Sequence, residues 1–318
     1  MKRIFITGIC GFIGKALANK LIEIGYAVDG IDNLSIGTKN GLHPEASFSQ
    51  MDVDQEKYYQ AFGDIKYEAI IHLASWKIPR EQGNVAKFLL TNTRGTMAVV
   101  EHAQHCGAKL FFASTSDIYG KQTDFNENAD SILGPTKISR WSYAIAKLWT
   151  EHLMYATEGL RFNIIRYFNV YGVGQSLNKV TATPMAIFAE QSFKKEPITL
   201  HGNGSQKRCF TYIDDAVDGT IKMLESDYDR EVFNIGNPYD EISMKDLGRT
   251  VWELINPGIP YEVSYIPYAD EMEYEDVQSR VPDIRKAQKL LKLELRTGLD
   301  EGLRKIIEWH KSEIGKEI

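Results

Sequence analysis

Three glycines near the start of the chain constrain its fold more than any other feature. Gly8, Gly11 and Gly14 lie where the apolar run KRIFITG gives way to GFIGKALANKLIEIGY, whose apolar residues recur at helical spacing, and AVDGID follows. Strand, side-chain-free turn, helix and second strand make half of a mononucleotide-binding unit. The missing side chains let the turn close and bring helix-terminal amides against a pyrophosphate. Asp32 ends the second strand, where a carboxylate accepts two hydrogen bonds from an adenosine ribose diol and repels a 2′-phosphate. Asn33 brings no positive charge for such a phosphate. The pattern points to a dinucleotide, NAD over NADP.

The alternation continues with strands expected at Ala69–Leu73, Lys109–Ala113 and Asn163–Phe168 and a helix at Ala86–His105. IIHLA and LFFAS are unbroken apolar runs, as in parallel strands buried on both faces. The fold class is therefore α/β, a doubly wound parallel sheet with a smaller C-terminal lobe. Beyond Asn169 come a loop, YGVGQSLNKV, a helix at Pro184–Lys194, a turn, HGNGSQ, and a short strand, CFTYI. Helices are expected at Asp214–Glu225 and at Ser243–Leu254, the latter capped by Ser243, with a strand at Val232–Gly236 between them. Ile284–Leu293 and Gly298–Glu313 are amphipathic and read as packing helices. The expected division is a dinucleotide-binding domain over residues 1–168 and a mainly substrate-binding lobe over 169–318, with 214–240 returning to the first domain.

At 318 residues, the length suits about two units of ordinary domain size. Hydrophobic residues at 43% and charged residues at 25% exclude fibrous and disordered classes. The 37 basic and 43 acidic residues leave a net charge of −6 with no long block of either sign, so nucleic acid is not an expected partner. Cys10, Cys106 and Cys209 have neither metal-site spacing nor the even number of a disulfide framework, which fits a reducing cytoplasm. Glycines interrupt the apolar start, so no targeting segment is expected. No run approaches the roughly 18 apolar residues of a membrane span.

Tyr143 and Lys147 are four apart in the helical stretch WSYAIAKLWTEHL and so share a face. An ammonium beside a phenol stabilises its phenolate, lowering a pKa that starts near 10 and making the tyrosine a usable base. Thr115, in FASTSDIYG, ends an apolar strand at the carboxyl edge where parallel sheets present ligands. Asp52 and Val53 follow another strand, where the carboxylate can meet the amine of an adenine or serve a solvated turn. His72 reads as a core histidine and Cys10 as an inert small residue of the turn.

Over nearly its whole length the sequence resembles the extended short-chain dehydrogenase/reductase family, in its nucleotide-sugar epimerase/dehydratase branch. The matching segments are TGICGFIG, DNLSIG, HLAS, STSDIYG, Tyr143-x-x-x-Lys147, RYFNVYG, RCFTYIDD and VPDIRKAQKLL. The resemblance implies a Rossmann domain with a smaller substrate domain, and an enzyme that holds NAD while oxidising and re-reducing a UDP-sugar. It gives Tyr143 the role of base, Lys147 the nicotinamide ribose and Thr115 the sugar 4-hydroxyl. It adds Phe12, Ile13, Leu73, Ala74 and Lys77 to the cofactor contacts, and Ser116, Asn169, Arg208 and Arg280 to the substrate side. Of these, Asn169 and the two arginines would meet the diphosphate, and a guanidinium fork suits phosphate oxygens. Relatives usually form homodimers through two helices, one carrying the Tyr-x-x-x-Lys pair.

Asp117 bears on the reaction. Related 4-epimerases commonly have a small or uncharged residue there, while dehydratases and sugar-acid decarboxylases have Thr-Asp-Glu or Thr-Ser-Glu. A C4 ketone acidifies the C5 proton, and a carboxylate within reach can remove it so that the C6 hydroxyl is lost. The expected activity is thus an NAD-dependent dehydratase acting on a UDP-hexose such as UDP-N-acetylglucosamine, with Asp117 as the C5 base. The main alternative is a 4-epimerase of UDP-glucose, UDP-N-acetylglucosamine or UDP-glucuronate, with Asp117 structural. A UDP-glucuronate decarboxylase ranks lower because the stretch after YGVG lacks the basic, glycine-bearing insertion of those enzymes, and a non-enzymatic NAD-binding protein ranks last.

Overall fold

The computed structural model describes residues 1–77, 84–175, 183–267 and 277–314. Strands β1 (Arg3–Thr7), β2 (Ala27–Asp32), β3 (Ser47–Gln50), β4 (Ala69–His72), β5 (Lys109–Thr115), β6 (Phe162–Tyr167) and β7 (Glu231–Ile235) form one parallel sheet in the order β7, β6, β5, β4, β1, β2, β3. Strand order reverses between β1 and β4, which opens a crevice at their carboxyl ends.

Alternate residues of the buried strands serve opposite faces. Phe5, Ile70, Leu110, Phe112 and Ile164 pack with Val99 and Ala103 of α2 (Val85–Cys106) and Met154 of α3 (Trp141–Ala156). Ile4, Ile6, Ile71, Phe111 and Ile165 join a cluster with Leu17 and Leu21 of α1 (Phe12–Glu23) and Ala216 and Val217 of α5 (Ile213–Leu224). This two-sided burial explains why those runs show no alternation in sequence.

The helices end where local chemistry dictates. Asn84 accepts the Lys87 amide at 2.9 Å to start α2, and Gly107, at φ +70°, ends it. α4 (Pro184–Lys194) begins on its proline. The Ser243 hydroxyl accepts the Asp246 amide at 3.0 Å and caps α6 (Met244–Ile255). α7 (Arg285–Leu291) and α8 (Leu299–Ile314) complete the chain. The expected strand CFTYI reduces to Thr211–Tyr212, paired with Val170–Tyr171, because its last residue already begins α5. Residues 176–182, which include the end of the loop YGVGQSLNKV, lie outside the described residues.

A polar seam crosses the apolar layer between β1, β4 and the two helices behind them. His72 Nδ1 lies 2.7 Å from the Thr7 hydroxyl and its Nε2 lies 3.2 Å from the Thr96 hydroxyl. Thr96 gives its own proton to the Asn92 carbonyl at 2.9 Å, so it accepts from His72 Nε2 and leaves Nδ1 to accept from Thr7. Burial, then the charge of Lys147, pushes the His72 pKa down to about 3. The imidazole is a neutral core group, as its place in an apolar run suggests.

The unfolded chain takes up a proton at His72 near pH 6.5, whereas the folded protein resists until about 3. Stability is therefore expected to fall as pH drops through that window, by on the order of 3–5 kcal/mol from this residue. Urea unfolding between pH 7 and pH 4 should show a shallower acid slope for His72→Gln than for the parent chain.

Candidate active site

The carboxyl ends of the central strands open into a cavity of about 370 Å³. Its floor is the turn between β1 and α1. Gly8 sits at φ +76°, and a Cβ there would stand 2.8 Å from the Ala74 amide nitrogen. A Cβ on Gly14 would run into the Gly8 carbonyl oxygen, so only glycine lets α1 start against β1. With no side chain in the way, the first amides of α1 face the cavity.

Asp32 closes this end. Its carboxylate accepts the Cys10 amide at 3.1 Å and the Leu34 amide at 2.8 Å, bracing the turn. Burial raises its pKa, and the amides of Leu34, Cys10 and Gly11 oppose that rise. Asn33 bonds to Asp52 at 3.3 Å, and Asp52 and Val53 line the same end. Gly95 of α2 leaves the space that Val53 fills, since a Cβ there would stand 2.7 Å from Val53 Cγ1. A side-chain-free cradle with helix amides at one end and a carboxylate at the other fits a dinucleotide. Phe12, Ile13, Leu73, Ala74 and Lys77 also line the cavity, with Lys77 exposed.

The opposite end gathers Thr115, Ser116, Asp117, Tyr143, Lys147 and Asn169. Thr115 ends β5, and its hydroxyl accepts the Asp117 amide at 3.2 Å, opening the 3-10 turn Ser116–Tyr119. Tyr143 and Lys147 share a face of α3. Contrary to the lowering expected from Lys147, burial first, then the charge of Asp117, raises the Tyr143 pKa, while a hydrogen bond with Thr115 pulls it back. Lys147 donates to the Ala113 carbonyl at 2.8 Å, and burial pushes its pKa down to about 7 against the opposing charge of Glu151.

Arg280 stands at Asp117 and Ser116 rather than on the cavity wall. Its Nη1 donates to Asp117 Oδ1 at 2.7 Å and to the Ser116 hydroxyl at 3.2 Å. The side chain is 3% exposed, and Nε and Nη2 find no hydrogen-bond partner among the described residues. Burial would raise the Asp117 pKa, but the charges of Arg280 and Arg140 and the Arg280 hydrogen bond hold it down to about 2. Arg208 donates to the carbonyls of Lys207 and Val277 at 2.7 and 2.6 Å and is not part of the cavity wall. Asn169 Nδ2 donates to the Cys209 carbonyl at 2.8 Å.

Sequence reasoning passed over Arg140 and Glu151. Arg140 precedes α3, three residues before Tyr143, with its guanidinium over the Trp141 ring. Glu151 continues the Tyr143, Lys147 spacing by another four residues, a signal present in the sequence.

The sequence profile of the NAD dependent epimerase/dehydratase family matches residues 4–236. A UDP-N-acetyl-alpha-D-glucosaminuronate decarboxylase of Bacillus cytotoxicus is 31% identical over 324 residues, covering 98% of each chain. UDP-glucuronic acid decarboxylase 1 of Xenopus tropicalis is 33% identical over 327 residues, covering 98% of this chain and 73% of its own. The crystal structure of a UDP-glucose 4-epimerase from Thermotoga maritima, solved with UDP-glucose, superposes with a TM-score of 0.87 at 30% identity, covering 98% of this chain and 99% of that one.

Asp32→Ala removes the carboxylate at this end of the cavity and a brace of the turn. It is expected to weaken NAD binding at least about tenfold, roughly 1.4 kcal/mol, in calorimetric titration.

Proposed function

The chain belongs to the NAD dependent epimerase/dehydratase family, and within it we propose that it is a decarboxylase of a UDP-hexuronate, UDP-glucuronate or UDP-N-acetylglucosaminuronate. One observation carries the choice: Arg280 is buried against Asp117, and Arg140 and Arg208 add further positive charge around that one carboxylate at the sugar end of the cavity. Cations in excess of their one anion call for another. The carboxylate on C5 of a hexuronate supplies one where a neutral hexose offers only hydroxyls.

The same pair argues against elimination. A base for the C5 proton profits from a raised pKa, whereas Arg280 occupies Asp117 Oδ1 and the surrounding arginines hold this carboxyl down. Decarboxylation asks for no such base. Once C4 is a ketone, the sugar is a β-keto acid; the bond from C5 to the carboxylate breaks, CO2 leaves, and the electron pair passes to the C4 oxygen.

NAD would supply reversible hydride exchange with C4 of the sugar. Gly8, Gly11 and Asp32 are assigned to holding it, and Lys147 to its nicotinamide ribose. Tyr143 takes the proton of the C4 hydroxyl, and the Lys147 ammonium stabilises the phenolate. Thr115 and Tyr143 donate to the C4 oxygen as it gains charge. Arg280 holds Asp117 and Ser116 in place and, with Arg140 and Arg208, supplies the positive field that the substrate carboxylate meets. Ser116, whose oxygen accepts from Arg280 and leaves its own proton to give, is our assignment for the donor to C5.

Incubation with each UDP-hexuronate and NAD in deuterated water tests this reading. Release of CO2 with one deuteron at C5 of a UDP-pentose is expected. A same-mass C4 epimer without label would favour the epimerase, and loss of water from UDP-N-acetylglucosamine would return Asp117 to the role of C5 base. Arg280→Met is expected to lower kcat about 100-fold or more.

We further propose a homodimer through α2 and α3, which pack side by side. Leu90, Met97, Ile145 and Trp149 on these helices are 38–47% exposed, a cost that a partner would remove. Light scattering should find a dimer that Trp149→Glu dissociates. The three cysteines are free and buried, which fits the reducing cytoplasm we infer. Among the described residues no helix is long and apolar enough to cross a membrane.

A further inference from the structure

Glu151 lies one turn of α3 beyond Lys147, and its side chain is 5% exposed. Its carboxylate accepts from Arg166 of β6 at Nη2, 2.7 Å, and Nε, 3.2 Å, and from the Ser114 hydroxyl of β5. Arg166 also donates to the Tyr119 hydroxyl at 2.9 Å and the Glu127 carbonyl at 3.0 Å, and Tyr119 donates to Asn234 of β7 at 2.8 Å. One buried carboxylate thereby joins the helix of Tyr143 and Lys147 to the strand of Thr115 and to the turn of Asp117.

A buried ion pair is weak grounds for stability, since well-packed apolar residues of similar volume often serve as well. What they cannot supply is a negative charge behind Lys147. The Lys147 ammonium is itself buried, 4.7 Å above the Phe112 ring. The titratable and charged groups around it, among the described residues, are Tyr143 and Glu151 on α3, neutral His72 on β4, Arg166 on β6 bound to Glu151, and Asp117 beyond Tyr143. Of these, Glu151 is the anion on the side of Lys147 away from Tyr143.

We propose that Glu151 is a positioning residue, keeping the Lys147 ammonium charged beside Tyr143 and holding α3 in register with the end of β5. The inference rests on the roles given above to Tyr143 and Lys147. Burial alone disfavours the charged lysine, and the neighbouring carboxylate offsets this.

The titration of Lys147 tests it without any substrate. In the full chain carrying 13Cε-labelled lysine, the Lys147 signal is assigned by its loss in Lys147→Arg, and its midpoint is read by NMR. Glu151→Gln is expected to lower that midpoint by about one pH unit or more. Because Glu151→Gln leaves the Arg166 charge unmatched, the double variant Glu151→Gln with Arg166→Met, which removes both charges, is measured beside it with the same expectation. In turnover, the alkaline limb of the pH profile should move to lower pH in step. An unchanged midpoint in the folded variants, with only their melting temperature lowered, would show a merely structural role and overturn the proposal. A lowered midpoint in a protein that releases no CO2 from either UDP-hexuronate would sink the decarboxylase reading and leave this one standing.

Discussion

The approach of α1 to β1 is the constraint on which the rest of the structure depends. No methyl group fits between Gly14 and the Gly8 carbonyl, so the helix starts close against the strand and its first amides point along the crevice between β1 and β4. Asp32 then accepts amides of this same turn, linking the end of β2 to the loop that β1 feeds. The cradle and the carboxylate are therefore one unit. The groups that would face a dinucleotide also hold each other in place.

At the other end of the crevice, charge rather than close approach governs. Arg280, Arg140 and Arg208 all bear on Asp117, so several cations share one anion. The whole chain carries a charge of −6, yet this corner is positive. Such a corner attracts an anionic substrate regardless of the net charge, because local potential and not the sum decides what is bound. It also keeps Asp117 ionised, while burial, opposed by Glu151, leaves Lys147 poised where small changes in its surroundings count.

The cofactor half of the site was legible in the sequence because it is local. Gly8, Gly11, Gly14 and Asp32 fall within one strand, turn, helix and strand, and spacing alone brings them together. Tyr143 and Lys147 were legible for the same reason, lying one helical turn apart. The strands were legible because burial on both faces leaves unbroken apolar runs, and Ser243 and Pro184 marked helix starts by familiar end chemistry. The partnership of Arg280 with Asp117 was not legible, since 163 residues separate them and no periodicity connects a turn after β5 to a segment before α7. The resemblance assigned Arg280 to a diphosphate, while its contacts are with Ser116 and Asp117. CFTYI was overread as a strand because its apolar residues serve both a two-residue pairing and the first residue of α5.

This difference between local and distant construction separates two properties of the enzyme. The dinucleotide cradle is assembled by contacts among the first strands and helix, so NAD recognition belongs to the sheet. The charge around Asp117 comes from distant parts of the chain: Arg140 before α3, Arg208, and Arg280 between β7 and α7, which bonds to Asp117 and Ser116. A substitution at one of these arginines would change the charge at Asp117 without touching the cradle. A shared fold can therefore host epimerases and decarboxylases, because the strand ends and α3 give a common frame, while charge reaches it from separate segments of the chain.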